Sequence, residues 1–193
     1  IVGMLGLLED RSRRCDPAFK IEGDVVYLLG ETREELGGTA YLEAVHGLVA
    51  GLPPQVDLVL ERAVQQCCLE AIRQGLLRSA HDCSDGGLAV ALAESCIAGG
   101  VGARIALPEV WAGLRPDAVL FGESHSRIVV SVAPEQAAEL EELAERYTVP
   151  CYRLGTVGGA ALEITGVLAV EVPVLEERWR TGLTSIQAET ELA

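Results

Sequence analysis

An α+β sandwich on a mixed sheet is the fold class that this sequence predicts, and three observations lead to it. Strand-like and helix-like runs alternate irregularly instead of in strict strand–helix repeats, which disfavours a doubly wound parallel sheet. Short apolar runs near the C-terminus pair as hairpins. One helix-length run, 88–98 (LAVALAESCIA), is apolar on nearly every side, as the central helix of a domain must be. With 193 residues, 49% of them hydrophobic, the chain can bury one sizeable core, and with only 4% aromatics that core must be Val, Leu, Ile and Ala.

In order along the chain, residues 1–10 (IVGMLGLLED) and 24–31 (DVVYLLGE) are continuous apolar runs of strand length, with a turn at 20–23 before the second. Leu36-Gly37-Gly38-Thr39 then breaks the chain in a tight turn and starts a short helix that ends at His46-Gly47, with His46 exposed at its end. Residues 1–50 look like the end of a domain whose beginning is missing, and an Ile at position 1 inside a strand-like run fits a piece of a longer polypeptide. Pro53-Pro54 forbids continuation of the preceding helix and sets the expected domain boundary. Apolar residues from Val56 to Ile72 recur at three-to-four spacing, an amphipathic helix ending near Gly75.

Residues 77–82 read as a short strand leading into Cys83-Ser84-Asp85-Gly86-Gly87 and the apolar helix. Ser84 or Asp85 is the expected N-cap, and Gly99 the left-handed stop. Residues 101–107 alternate as a strand, and 108–116 form a loop carrying Trp111. Residues 118–121 and 127–132 read as strands flanking a polar interruption, Gly122-Glu123-Ser124-His125-Ser126, which they present at a sheet edge. Residues 134–147 form a helix with Pro134 at its start. Three strands (150–157, 161–165 and 167–172) follow, then a short helix, 174–183, and a frayed tail.

The net charge of -14 argues against nucleic acid and anionic membranes as partners, so any anionic ligand must be held by local donors. Six cysteines without C-x-x-C spacing point to neither a zinc site nor a disulfide framework, and to a reducing, cytoplasmic setting. No apolar run reaches membrane-spanning length.

Three polar constellations stand out, Leu36-Gly37-Gly38-Thr39, His81-Asp82-Cys83-Ser84-Asp85-Gly86-Gly87 and Gly122-Glu123-Ser124-His125-Ser126-Arg127; the first reads as a tight turn and the other two offer chemistry. Ser84, Asp85, Gly86 and Gly87 precede a helix whose N-terminus carries unpaired N–H groups and partial positive charge, a pattern that suits phosphate. Asp85 would repel a bare phosphate, so it implies a metal ion or a capping role. Glu123, Ser124, His125 and Arg127 form the second set, against which stands an edge turn with a surface ion pair. His81 and Asp82 fit structural partners as well as ligand contacts.

The stretches VGMLGLLED, DVVYLLGETREELGGTAYLEAVHG, PPQVDL, SAHDCSDGGLAVALAESCIAGGVGA and LFGESHSRIVVSV, in this order, resemble the C-terminal part of the phosphoribosylformylglycinamidine synthase family. The likeness is to the large subunit of the multi-subunit bacterial type, within the aminoimidazole ribonucleotide synthetase-related superfamily. It implies a duplicated enzyme in which 1–50 end the second N-type domain, 52–175 form the second C-type domain, and 176–193 are a terminal helix and tail. It also implies an ATP-dependent ligase of purine biosynthesis that uses Mg2+ and ammonia from a glutaminase subunit, with a small bridging subunit, to convert formylglycinamide ribonucleotide to the amidine. The family's catalytic histidines, main metal ligands and Gly-Asn-x-Ser motif fall outside this sequence, so no catalytic residue is assigned and the piece alone is expected to be inactive. Glu123-Ser124-His125 is the counterpart of a Glu-Ser-Gln substrate segment, with His125 in place of Gln.

Two other readings stand beside this one: a non-catalytic module that binds an auxiliary nucleotide or packs domains together, and another ATP-dependent member of the superfamily. A hydrolase built on Ser124 and His125 is disfavoured, because neighbouring side chains on a strand point to opposite faces.

Overall fold

The computed structural model describes residues 3, 5–8 and 10–190. One seven-stranded sheet has the order β2-β4-β1-β5-β3-β6-β7, with β1 Val25–Leu29, β2 Leu77–Asp82, β3 Ala103–Ile105, β4 Ile128–Val132, β5 Cys151–Val157, β6 Ala161–Ile164 and β7 Leu168–Glu171. The neighbours pair antiparallel except β3 and β6, which run parallel, so the sheet is mixed as expected.

The first strand explains the architecture. All of β1 is buried, with Val26 and Leu28 in one core and Val25, Tyr27 and Leu29 in the other. A strand covered by helices on both faces has no solvent side, and therefore reads as an unbroken apolar run. Over one face lie α3 Gly87–Gly99, α4 Pro116–Phe121 and α6 Val172–Thr190, and over the other α2 Leu58–Arg73 and α5 Ala137–Arg146. In α2 the buried residues are Val64, Cys67, Cys68 and Ala71, a single helical stripe. In α3 the sheet takes Leu88, Leu92 and Cys96, while Val90, Ala93 and Ile97 line an apolar groove beside Trp179 of α6. α1 Ala40–His46 is capped by Thr39 and closed by Gly47, buries no residue, and leaves His46 exposed against Tyr41.

Several expectations are corrected. Residues 5–8 of the first apolar run form no strand and Leu5 and Leu7 are fully exposed, while residues 1, 2, 4 and 9 lie outside the described residues. Pro53-Pro54 does not divide the sheet, because β1, which precedes it, sits between β4 and β5, which follow it. Residues 118–121 are helical: Pro116 stands in the first turn with Asp117, and the apolar side packs against α3. Residues 101–107 contribute only three strand residues. The last helix continues to Thr190 rather than fraying at 184, and residues 191–193 lie outside the described residues. Gly100, not Gly99, takes the left-handed stop, at φ 64°. Gly99 is needed for a different reason: a Cβ there would lie 2.0 Å from the carbonyl oxygen of Phe19.

The outer edge of β2 is blunted by the segment before β1. Asp16 accepts the Ala80 N–H at 3.1 Å, and the Lys20 ammonium donates to the Arg78 carbonyl at 2.5 Å. No helix among the described residues is long and apolar enough to cross a membrane.

Candidate functional site

Both constellations meet at one cavity of about 630 Å³. Asp82, Ser84 and Asp85 form one wall and Glu123, His125 and Arg127 another, closed by Glu61 of α2 and by Pro53 and Pro54. The two prolines that look like a linker in the sequence are thus part of the wall. Carboxylates are the commonest charged groups of the lining, and its one guanidinium is turned inward.

That guanidinium organises the loop 122–127. Arg127 is 2% exposed, so it is neither an edge residue nor a surface ion pair. Its Nε donates to the Ser124 carbonyl at 3.1 Å, one terminal nitrogen donates to the Gly122 carbonyl, and the other reaches the Thr32 hydroxyl at 3.4 Å. Burial lowers its pKa from the usual guanidinium range, and the Cys83 thiol, Glu35 and Glu123 oppose that shift. A buried cation whose hydrogen bonds go to carbonyls acts as a clamp on the backbone.

The other side chains of the loop are used as well. Glu123 Oε1 accepts the Gly86 N–H and the Ala40 N–H, each at 2.9 Å. Ser124 is buried, with its hydroxyl 3.5 Å from the Arg33 carbonyl, and Ser126, held at φ 61°, donates its hydroxyl to Glu61. His125 alone in the loop is exposed and faces the cavity. Ser124 and His125 make no hydrogen bond to each other, so they form no nucleophile–base pair.

Across the cavity, the Ser84 hydroxyl donates to Asp82, and this bond is the main reason the Asp82 carboxyl is held below its ordinary value. Asp85 is exposed on the rim. Neither Ser84 nor Asp85 caps α3: Gly86 does so in the left-handed conformation with no side-chain bond, because the hydroxyl is turned to Asp82. The Gly87 N–H bonds to the Ser84 carbonyl at 3.0 Å, so both glycine amides of the expected phosphate turn already have protein acceptors. Gly87 also admits the end of α4, since a Cβ there would lie 2.4 Å from the Gly122 carbonyl oxygen.

His81 does not line the cavity, although its Nδ1 lies 3.6 Å from the Asp82 carboxylate. Its Nε2 is 2.9 Å from Glu94 of α3, a structural tie between β2 and α3. Gly37 and Gly38 form the tight turn, Gly38 donating to the Ala50 carbonyl at 2.9 Å. Burial pushes the Cys83 thiol, behind the cavity, up to about 11, which keeps it protonated at neutral pH. Glu61 went unread in the sequence, where an acid in the first turn of a helix is explained by the dipole alone. Among the described residues no group of three His, Cys, Asp or Glu side chains converges as metal ligands, so this cavity does not fit a magnesium cage built by the chain alone.

The family described as AIR synthase related protein, C-terminal domain, matches residues 22–166. This chain belongs to that family. The matched region starts ahead of β1 and ends before β7, so residues 22–50, expected to close an N-type domain, lie within the C-terminal-domain match. Among curated relatives, phosphoribosylformylglycinamidine synthase subunit PurL of Anaeromyxobacter dehalogenans is 50% identical over 193 residues, 96% of this chain and 25% of that protein. The subunit of the same name from Moorella thermoacetica is 45% identical over 192 residues, 97% of this chain and 26% of that one. The chain thus spans about a quarter of the length of the curated relatives it matches. A solved structure of Thermotoga maritima PurL complexed with FGAR superposes with a TM-score of 0.74 at 22% identity, over 86% of this chain and 30% of that one. The same protein complexed with ATP gives 0.68 at 21% identity, over 86% and 28%. At that identity these two likenesses speak for the fold, and they agree with the AIR synthase-related assignment.

Proposed function

We propose that this AIR synthase-related chain is the C-terminal module of a phosphoribosylformylglycinamidine synthase large subunit, working in the cytoplasm. The full enzyme converts formylglycinamide ribonucleotide, ATP and glutamine-derived ammonia into the amidine, ADP and phosphate. It does so with a glutaminase subunit and a small bridging subunit. The observation that carries the reading is the 50% identity maintained over 193 residues to a curated subunit of that name. The ATP and Mg2+ that do the chemistry are held outside this chain, in the larger remainder of the subunit.

Within that enzyme the module has an auxiliary rather than a catalytic part. Ser84, Asp85 and His125 are the groups a ligand in the cavity would meet first, with Gly86 and Gly87 behind them. The module's second role, as a packing element, is favoured by the same cavity: its turn amides are satisfied internally and its lining is acidic. The test is product formation by the full-length polypeptide containing this chain, with ammonia, ATP and formylglycinamide ribonucleotide supplied. Turnover is expected there and none from the 193 residues alone. A full-length polypeptide that leaves this substrate untouched, or turnover by the piece itself, overturns the proposal.

A further inference from the structure

Glu123 binds two amides that belong to different helices. Ala40 is the first residue of α1, and Gly86 immediately precedes α3. Glu123 follows Gly122, the C-cap of α4. One carboxylate oxygen therefore joins the starts of two helices to the end of a third. α3 has no acidic residue in its first turn and no side-chain cap of its own, and the carboxylate bonded to its cap amide is that of Glu123, 37 residues away in sequence, beside the exposed Asp85. The loop bearing Glu123 is fixed in turn by the Arg127 clamp.

We infer that Glu123 is a built-in anion: a positioning residue whose charge assembles the junction of α1, α3 and α4, and with it one wall of the cavity, as a bound oxyanion would. The wall is complete without a ligand, and an anion can use the Gly86 amide only by displacing Glu123. Charge-assisted hydrogen bonds to backbone N–H groups are about twice as strong as neutral ones, which gives the carboxylate its advantage over an amide.

The experiment uses the full-length polypeptide with Glu123→Ala and Glu123→Gln. In Glu123→Ala the amides of Ala40 and Gly86 are expected to exchange at least about 10-fold faster, the loss of about 1.4 kcal/mol of protection. Glu123→Gln, which keeps an acceptor oxygen and loses the charge, is expected to keep only part of that protection, exchanging faster than wild type and slower than Glu123→Ala at both amides. Acetate, against chloride at equal ionic strength, is expected to slow exchange at both amides in Glu123→Ala and to leave wild type unchanged. Packing alone predicts that the isosteric Gln variant behaves as wild type and that acetate does nothing; either result overturns the inference. So does faster exchange at only one of the two amides. If Glu123→Ala does not fold, Glu123→Gln decides: faster exchange than wild type at both amides supports the anion, and exchange at the wild-type rate, or faster at only one of them, removes it.

Discussion

The loop 122–127 and the segment 45–59 reverse what their compositions predict. The loop is polar and short, yet Arg127 and Ser124 are buried and Glu123 and Ser126 hold distant elements. The segment is rich in Val and Leu, yet Val45, Leu48, Val49, Leu52, Val56, Leu58 and Val59 are all exposed, and α1 buries nothing. Burial follows from where partners stand, and hydrogen-bonded polar groups can be held inside as firmly as apolar ones. An apolar run left in water is the mark of a surface that another body covers.

The sharpest way to break this comparison is Arg127→Met, which keeps the bulk and removes the donors. The carbonyls of Gly122 and Ser124 then lose their partner, at about 1–3 kcal/mol each, offset by relief of the guanidinium's desolvation. A net loss of about 2–4 kcal/mol is expected in denaturant unfolding of the described domain. A loss below about 1 kcal/mol would mean that the loop holds itself.

Within the exposed segment Asp57 caps α2, its carboxylate accepting the N–H groups of Val59 and Leu60 at 2.9 and 3.1 Å. Asp57→Ala is expected to cost about 1 kcal/mol, the usual value of a helix N-cap, and Asp57→Ser to recover most of it. Equal losses in the two variants would place the effect outside capping.

The smallest effect belongs to the most apolar change. Val59, 81% exposed, is expected to tolerate Ser with less than about 0.5 kcal/mol lost in the isolated chain. In the full-length polypeptide the same substitution is expected to cost more, if other parts cover the segment. Identical costs in both would show that the segment is open surface.

What the sequence made legible was whatever one segment decides by itself. β1 could be read because both of its faces are buried, and α2 because its stripe of Val64, Cys67, Cys68 and Ala71 repeats within one helix. α4 could not be read that way, since six residues are too few for a helical period and four of them are a continuous apolar run. The candidate residues of the site were visible as two polar islands, but their roles were not. Glu123 depends on Ala40, 83 residues away, and on Gly86, 37 away, and no local pattern encodes such pairs. Arg127 looked like surface because nothing near it in sequence announces a set of carbonyls waiting inside.

The place of β1 in the sheet bears on how the chain is made. Val25 lies opposite Val132 on one side and Thr156 on the other, so the strand leaves the ribosome roughly 130 residues before its second neighbour. Until β4 arrives VVYLL is a nascent apolar strand with two open edges, and until β5 arrives one edge stays open, the kind of segment that chaperones hold and that misassociates when they do not. Pairing over such distances is slow, because loop closure must precede the contacts that reward it. Assembly of this sheet is therefore completed only when β5 arrives to close over a strand translated roughly 130 residues earlier.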